Sequence, residues 1–284
     1  MKPSNIGELL AKLQQFYNDH SKHANYQNIP EFVKKAIGYS ETINEEWRGD
    51  TARYNYILKE IDFPVGAVVG DIGANTGFFT LSLSYFFQKA QFIAYEANLN
   101  HAEHINLIKD YFQIDNILIK NKMIDINDII SLPNHDILLH MNVLHHAGYD
   151  FDKHLNKTLK DFEAYALEYL AILRPKTTIL VFQMGSNWGG SKMKPIIPPD
   201  HDTEKIRFIS RILLRAGWRI RKIAMATRDA DKNILYRNLP DEITDRINNC
   251  VAVSDLKGIV KEYKLEQFVG EFYRRPFFIC ESGS

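Results

Sequence analysis

The sequence is poor in cysteine, in long apolar runs and in net charge. Its 284 residues hold two cysteines, Cys250 and Cys280, which are too few for a disulfide framework and lack metal-site spacing. No apolar run approaches the roughly 20 residues that cross a bilayer, and the N-terminus lacks an apolar signal core. We therefore expect a reduced, cytoplasmic protein without a membrane partner.

The side-chain charges cancel, because 35 Lys and Arg residues are matched by 35 Asp and Glu residues. This balance argues against a protein that works mainly by coating nucleic acid or an anionic membrane. Hydrophobic residues make up 45% of the chain and charged residues 25%, values that exclude a disordered or low-complexity protein. The length suits one large domain with an extension.

Short apolar runs alternate with helical patterns from about residue 66 onward. The runs that predict strands occupy residues 67–72, 91–96, 117–124, 136–142 and 177–184. Helical patterns lie between them, the longest over 155–173. Strands that alternate with helices indicate βαβ units and a parallel sheet, which right-handed crossovers wind into a doubly covered sandwich.

Both ends of the chain depart from this alternation. Residues 1–60 predict a helical N-terminal extension, and residues 61–284 a single α/β domain. Strands are expected over 218–226 and 272–281, which brings the predicted total to seven. The insertion between them, at 227–271, is too long for a hairpin loop and contains helical patterns.

A glycine-rich turn follows the first predicted strand, from Asp71 through Gly73 and Asn75 to Gly77. Glycines at such a turn allow the backbone to approach a ligand closely. The second predicted strand ends at Glu96, where a carboxylate suits two ribose hydroxyls. A carboxylate at the head of the turn suits an ammonium group better than a pyrophosphate, so the pattern indicates a nucleoside ligand with an amino group.

With these motifs, residues of about 60–226 resemble the class I S-adenosylmethionine-dependent methyltransferases. The resemblance implies a Rossmann-like methyltransferase sandwich with a mostly parallel seven-stranded sheet, and S-adenosyl-L-methionine as cofactor. The glycine turn and an asparagine after the fourth strand would hold the methionine part, the acid the ribose, and two residues after the third strand the adenine. The implied cofactor-binding residues are Asp71, Gly73, Asn75, Gly77, Glu96, Met123, Ile124 and Asn142.

The segment from Asn142 to His146 resembles a motif that follows the fourth strand in the same family. His145 or His146 is a candidate general base, because histidine titrates near neutral pH. A structural role for one of them is the alternative. A metal site that used His140 with these two histidines would lack a Cys or Glu partner at suitable spacing, so no metal is expected.

Two further segments are candidates for binding the methyl acceptor. One is the loop after the fifth strand, and the other lies in the N-terminal extension. The candidates are Gln183, Asn187 and Trp188 in the loop, with Trp47 and Arg48 in the extension. The alternatives are an ordinary surface loop and a salt bridge that docks the extension.

The resemblance implies methyl transfer to an oxygen or nitrogen. A small or conjugated polar acceptor of sugar or natural-product type is expected, because the extension, the loop after the fifth strand and the insertion could enclose it. A tRNA or other RNA acceptor is the alternative, supported by Arg207, Arg211 and Arg215 on one helix face. A solvated helix face explains the same arginines. A third hypothesis is a non-catalytic binding module, against which the intact turn and acid argue. The pattern gives no oligomeric state.

Overall fold

The structure is a computed structural model, and it describes residues 5–17, 28–38, 49–198, 201–268 and 271–283. Its strands are β1 (Val68–Ile72), β2 (Gln91–Tyr95), β3 (Ile117–Lys120), β4 (His135–Met141), β5 (Thr177–Gln183), β6 (Arg219–Arg228), β7 (Ile234–Asn238) and β8 (Phe277–Glu281). Its α-helices are α1 (Ile6–Tyr17), α2 (Glu31–Ile37), α3 (Asp50–Glu60), α4 (Phe78–Phe86), α5 (Leu99–Phe112), α6 (Ile126–Ile129), α7 (Phe162–Leu173), α8 (Asp202–Arg215), α9 (Asp241–Asn248) and α10 (Leu256–Lys261).

Among the described residues, strands β1 to β3 lie in the order β3-β2-β1, and strands β4 to β8 in the order β4-β5-β8-β6-β7. The predicted fold class, a Rossmann-like α/β sandwich with a mostly parallel sheet, is confirmed. The predicted number of seven strands is wrong, because the insertion at 227–271 contains β7. That strand pairs antiparallel with β6, with Ala226 opposite Tyr236. A turn between Asp229 and Asn233 joins the two strands and brings the extra strand to the sheet edge.

The chain divides into two compact units, Met1–Met123 and Ile124–Ser284, which we call the N-terminal and C-terminal units. In the N-terminal unit β1 and β3 flank β2 in parallel, with Val69 opposite Phe92 and Phe92 opposite Ile117. Helix α3 of the extension carries a buried ion pair, in which Arg53 Nη2 lies 2.5 Å from Asp50 Oδ1. The guanidinium of Arg53 also lies over the Phe79 ring, 5.2 Å from its centroid, and this contact joins the extension to α4 of the same unit.

In the C-terminal unit β4 and β5 run parallel, and β8 and β6 continue the sheet in antiparallel pairs. Consecutive residues of β4 are buried on both faces, as expected for a central strand covered by helices. Trp218 just before β6 is also buried, and its indole N–H donates to the Leu170 carbonyl at 3.0 Å. Since Leu170 lies on α7, this bond fixes that helix to the start of β6.

Three predicted elements are shorter than the sequence pattern indicated. The helix predicted over 155–173 begins only at Phe162, because Asp161 accepts bonds from the backbone and hydroxyl of Thr158 and forms a turn there. The strand predicted over 117–124 ends at Lys120. The strand predicted over 272–281 begins at Phe277, after a 3₁₀ turn at Phe272–Arg274 and a proline that cannot donate to the ladder.

None of the helices in the described ranges combines the length and the apolarity that crossing a membrane requires. Both cysteines carry free thiols. Cys250 is exposed and Cys280 lies buried in β8.

Candidate functional site

The glycine turn of the N-terminal unit begins where β1 ends and closes onto the first residue of α4. Gly73 and Gly77 have φ angles of 73° and 83°, and Asn75 between them has a φ of 54°. A side chain on Gly77 would be doubly unfavourable, because its Cβ would also lie 2.6 Å from Ile105 Cγ1. The residues predicted from the sequence therefore form one compact turn of left-handed backbone.

Glu96 lies at the carboxyl end of β2, and its carboxylate contacts that same turn. The backbone N–H of Asn75 donates to Oε2 at 2.7 Å, and the N–H of Asn98 donates to Oε1 at 2.7 Å. His101 places Nδ1 at 3.6 Å from Oε1. Because each carboxylate oxygen has two acceptor positions, both keep the capacity to accept a hydroxyl of a ligand. We call this arrangement of Glu96 on the turn the carboxylate clasp.

Asp71 lies on β1 beside the clasp and is buried. The hydroxyl of Thr80 donates to its Oδ2 at 2.7 Å. Burial raises the pKa of Asp71 to about 7, against the lowering by the Thr80 hydroxyl and with a smaller contribution from the nearby charge of Glu96. A cation brought close to this carboxyl would favour its ionised form.

A histidine supports the turn from α5. His104 Nδ1 lies 2.9 Å from the Thr76 carbonyl, and burial lowers the pKa of His104 to about 4. The ring is therefore neutral at physiological pH, and Nδ1–H donates to that carbonyl. The Thr76 hydroxyl is buried and has no hydrogen-bond partner among the described residues, so the turn contains an unsatisfied polar atom.

The two residues predicted to flank adenine differ in exposure. The Met123 side chain is 41% exposed and Ile124 is buried. Asp125, the next residue, is the N-cap of α6 and accepts bonds from the N–H groups of Asn127 and Asp128. Its carboxylate therefore serves the helix, and the adenine assignment of Met123 and Ile124 stays a prediction.

In the C-terminal unit, Asn142 follows β4 with a φ of 61°. Its backbone N–H donates to the Gln183 carbonyl at 2.7 Å, and its side-chain Nδ2 donates to Gln183 Oε1 at 3.1 Å. The guanidinium of Arg275 donates to Asn142 Oδ1 at 2.8 Å. Gln183 is fully buried and donates in turn to Tyr236 and to the Arg275 carbonyl. Asn142 and Gln183, two predicted site residues at the ends of different strands, are thus hydrogen-bonded to each other.

Glu271 extends this network to the loop after β5. Its two oxygens accept from the Ser186 backbone N–H and the Asn187 side-chain amide, each at 2.8 Å. Arg275 Nη2 lies 3.6 Å from Glu271 Oε2. We call the side chains that these bonds join the amide network; they are Asn142, Gln183, Asn187, Tyr236, Glu271 and Arg275. Tyr236 and Glu271 were missed, because both lie in the predicted insertion and no local motif marks them.

His145 is buried in a 3₁₀ turn at Leu144–His146, and the Gly185 backbone N–H donates to its Nδ1 at 3.2 Å. Burial holds the pKa of His145 well below its usual range, and the neighbouring His146 and Arg275 lower it further. The ring is therefore neutral. Because Nδ1 accepts a hydrogen bond, the proton of the neutral ring resides on Nε2, and His145 is a donor there.

His146 has the opposite arrangement. Its Nδ1 lies 2.7 Å from Asp150 Oδ2, one helical turn along the chain, and the ring is half-buried. The loop that carries the aspartate is fixed, because Gly148 donates to the Phe151 carbonyl at 2.6 Å and has no space for a side chain beside the Asn156 carbonyl. With Nδ1–H directed at the carboxylate, the lone pair of the neutral ring lies on Nε2.

The loop after β5 is ordered by its own tryptophan. Trp188 is buried, and its indole N–H donates to the Ala147 carbonyl at 2.6 Å. The ring of Tyr149 meets it edge-on at 5.8 Å, and the Lys194 ammonium lies 5.0 Å from the indole centroid. Trp188 thus anchors the loop. The acceptor-binding roles of Gln183, Asn187 and Trp188 stay predictions.

Trp47 and Arg48, the other acceptor candidates, lie outside the described residues. The predicted arginine face is present on α8, and its members form ion pairs. Arg211 donates twice to Glu163, at 3.0 and 3.1 Å, Arg215 approaches the same carboxylate at 3.4 Å, and Arg207 pairs with Glu204. Within the described ranges, no group of three or more His, Cys, Asp or Glu side chains is placed to hold a metal.

No family model matches the chain, and no curated protein matches it. Solved structures do match. A magnesium protoporphyrin IX methyltransferase from Synechocystis PCC 6803, with bound S-adenosylmethionine, is 10% identical, with 97% of each chain covered and a TM-score of 0.49. Fibrillarin, a pre-rRNA processing protein from Methanococcus jannaschii, is 11% identical, with 85% of this chain and 77% of that chain covered and a TM-score of 0.47.

A third match is WbdD, described as a bifunctional kinase-methyltransferase, at 14% identity and a TM-score of 0.45. That match covers 82% of this chain and 45% of that chain, so the chain spans less than half of WbdD. At these identities the likeness is one of fold alone.

Proposed function

We propose that the protein transfers the methyl group of S-adenosyl-L-methionine to an oxygen or nitrogen of a small or conjugated polar acceptor. The observation that carries the proposal is the carboxylate clasp. A buried Glu96 at the end of β2 is oriented by the backbone of the glycine turn at 2.7 Å. A purely structural βα turn needs no buried carboxylate at this position, whereas a ribose needs one.

The chemistry of the donors around the clasp suits this cofactor. Glu96 retains acceptor capacity for two ribose hydroxyls, Asp71 is an acid that an ammonium group would stabilise in its ionised form, and the buried Thr76 hydroxyl offers a further polar contact. When bound, S-adenosylmethionine supplies a methyl group made electrophilic by a positive sulfonium. The N-terminal unit accordingly provides binding and orientation.

We assign to His146 the role of the general base that removes the proton of the acceptor. The Asp150 carboxylate fixes the tautomer in which Nε2 carries the lone pair, and it stabilises the imidazolium that forms when Nε2 accepts a proton. His145 is neutral and donates from Nε2, so it suits a hydrogen bond to an acceptor oxygen. The two histidines would therefore divide the roles that the sequence left open between them.

The ion-paired arginines support a small acceptor over RNA. An RNA-binding face needs cations that neutralise phosphates, and the guanidinium groups of Arg207, Arg211 and Arg215 each contact a glutamate of the same unit. An RNA acceptor would predict salt-dependent binding that replacement of Arg211 and Arg215 by glutamate weakens. A small acceptor predicts unchanged turnover in the same variant.

The activity is tested with S-adenosylmethionine labelled in the methyl group, incubated with sugar, phenol, amine and RNA fractions. The proposal predicts transfer of label to one small-molecule fraction, with His146→Ala and Asp150→Asn lowering kcat by about 10²–10⁴-fold and altering the pH profile. The binding constant for S-adenosylhomocysteine should stay the same in both variants.

Three results would contradict parts of this account. Cofactor binding without transfer to any fraction would favour the non-catalytic module. Label in the RNA fraction would favour the alternative acceptor. An unchanged pH profile in His146→Ala, with a changed one in His145→Ala, would return the base to His145.

A further inference from the structure

A cavity of about 320 Å³ lies in the C-terminal unit, between the second half of α8, the end of α9 and the start of α10. Asn248 at the end of α9 bonds both backbone groups of Ile220, and Ile220 lies at the start of β6. Because β6 runs parallel to β5, the start of β6 lies at the opposite end of the strands from Gln183, which ends β5. The cavity is thus separate from the amide network.

The floor of the cavity is apolar. Leu214 comes from α8, Val251 from the loop after α9 and Leu256 from α10. The loop has a fixed position, because the Val251 N–H donates to the Arg246 carbonyl at 2.8 Å and the Arg246 guanidinium donates back to the Ala252 carbonyl. An apolar floor of this volume is of the size that small-molecule ligands occupy.

The rim of the cavity is basic. Arg207, Arg211 and Arg215 line it and stay about half exposed, with side-chain exposures of 51%, 49% and 58%. They share two carboxylates, Glu204 and Glu163, so these five side chains carry three positive and two negative charges, a net charge of +1. Arg211 already donates twice to Glu163, so a ligand carboxylate would pair with the remaining N–H groups of these half-exposed guanidinium groups, next to the apolar surface.

Ser210 adds an independent polar feature to the lining. It is 3% exposed, and its hydroxyl is buried without a hydrogen-bond partner among the described residues. A serine inside a helix ordinarily bonds the carbonyl one turn back, which removes that cost. A hydroxyl left unsatisfied in the wall of a cavity is therefore a group that a ligand oxygen can satisfy.

We propose that this cavity binds an amphipathic carboxylate, with the apolar body of the ligand on the leucine and valine floor and its carboxylate on the arginines of α8. The site requires no methyl transfer and does not depend on the proposed function. In this proposal the arginine face of α8 binds a small ligand with one negative charge and does not bind a nucleic-acid backbone.

Decanoate is the probe, and the full chain is used. Cys250 lines the cavity and is exposed, whereas Cys280 is buried, so a thiol-alkylating reagent reports on the cavity mouth alone. Saturating decanoate should slow the alkylation of Cys250 by about tenfold. In calorimetry, decanoate should bind at one site and roughly tenfold more tightly than its uncharged methyl ester.

The variant Arg211→Gln/Arg215→Gln should weaken decanoate binding by about tenfold or more, with the fold checked by thermal unfolding. The matched control is Arg221→Gln. Arg221 lies on β6, is also about half exposed, and pairs with Glu281 of β8 at 3.2 Å. That variant should bind decanoate like the unmodified chain. The proposal is overturned if decanoate neither binds nor protects Cys250, if the methyl ester binds equally well, or if both arginine variants lose the same affinity.

Discussion

The two predicted binding regions are built in different ways. In the carboxylate clasp, Glu96 is held by backbone N–H groups 2 and 21 residues away, from elements that follow one another in the chain. In the amide network, Asn142 meets Gln183 41 residues away and Arg275 133 residues away, through side chains. The first depends on local backbone conformation and the second on long-range side-chain contacts. Substitutions in the two regions should therefore change stability for different physical reasons.

Removing the charged member of the amide network should have the largest effect on stability. Arg275 is buried, donates to Asn142 and approaches Glu271, so Arg275→Met leaves the partly buried carboxylate of Glu271 without this cation. We expect a loss of about 3–5 kcal/mol in the free energy of unfolding, measured by urea denaturation. The control is Arg221→Met, whose half-exposed ion pair should contribute less than about 1 kcal/mol. Similar losses in both would show that the network adds no stability.

The clasp should respond to pH through Asp71. Its pKa in the folded chain is raised to about 7, so the folded state holds a proton that the unfolded state releases near pH 4. Stability from this group is therefore present at low pH and is lost as the pH rises from about 4 to 7.

Without cofactor, the unfolding free energy of the unmodified chain should fall relative to Asp71→Asn by roughly 2–4 kcal/mol between pH 4 and pH 8. The exposed Asp62, changed to Asn, is the control and should show little such difference. A difference between the Asp71 variant and the unmodified chain that is constant with pH would mean that Asp71 is ionised throughout.

The backbone of the glycine turn should tolerate no side chain at Gly77. Gly77→Ala should cost about 2–4 kcal/mol, since its φ is positive and the new Cβ would lie 2.6 Å from Ile105. Gly66→Ala is the matched control, because Gly66 has a φ of 81° and no atom within 4 Å of the added Cβ. Gly66→Ala should cost about 1–2 kcal/mol. Equal costs would show that crowding against α5 contributes nothing.

The smallest effect is expected from one hydrogen bond in the loop after β5. Trp188→Phe removes the bond to the Ala147 carbonyl, which also accepts from the Asn156 amide at 2.9 Å. Because one donor remains, the loss in thermal unfolding should be about 1 kcal/mol. Trp218→Phe removes the single hydrogen bond that a buried indole donates to the Leu170 carbonyl, and it serves as the comparison. A much larger loss for Trp188 would give its ring a packing role beyond the bond.

The sequence predicted the fold class and the members of the clasp because both are local. Alternating apolar runs specify βαβ units, and a glycine turn between a strand and a helix identifies its own ligands by position. Glu96 could be placed because it ends the strand that follows.

The amide network was only partly predictable for the opposite reason. Glu271 and Tyr236 lie in a segment read as an insertion, and only the pairing of β7 with β6 brings Tyr236 to Gln183. The choice between His145 and His146 also depended on contacts, since their hydrogen-bond partners Gly185 and Asp150 determine which nitrogen carries the proton.

The central claim is that the carboxylate clasp binds the nucleoside part of the cofactor, and calorimetry with S-adenosylhomocysteine tests it most directly. We predict saturable binding to the unmodified chain, weakened by roughly 100-fold in Glu96→Ala, because two hydrogen bonds to a charged group are lost. Binding should be unchanged in Glu103→Ala, which removes an exposed glutamate from α5. No binding by the unmodified chain, or equal binding by Glu96→Ala, would contradict the claim.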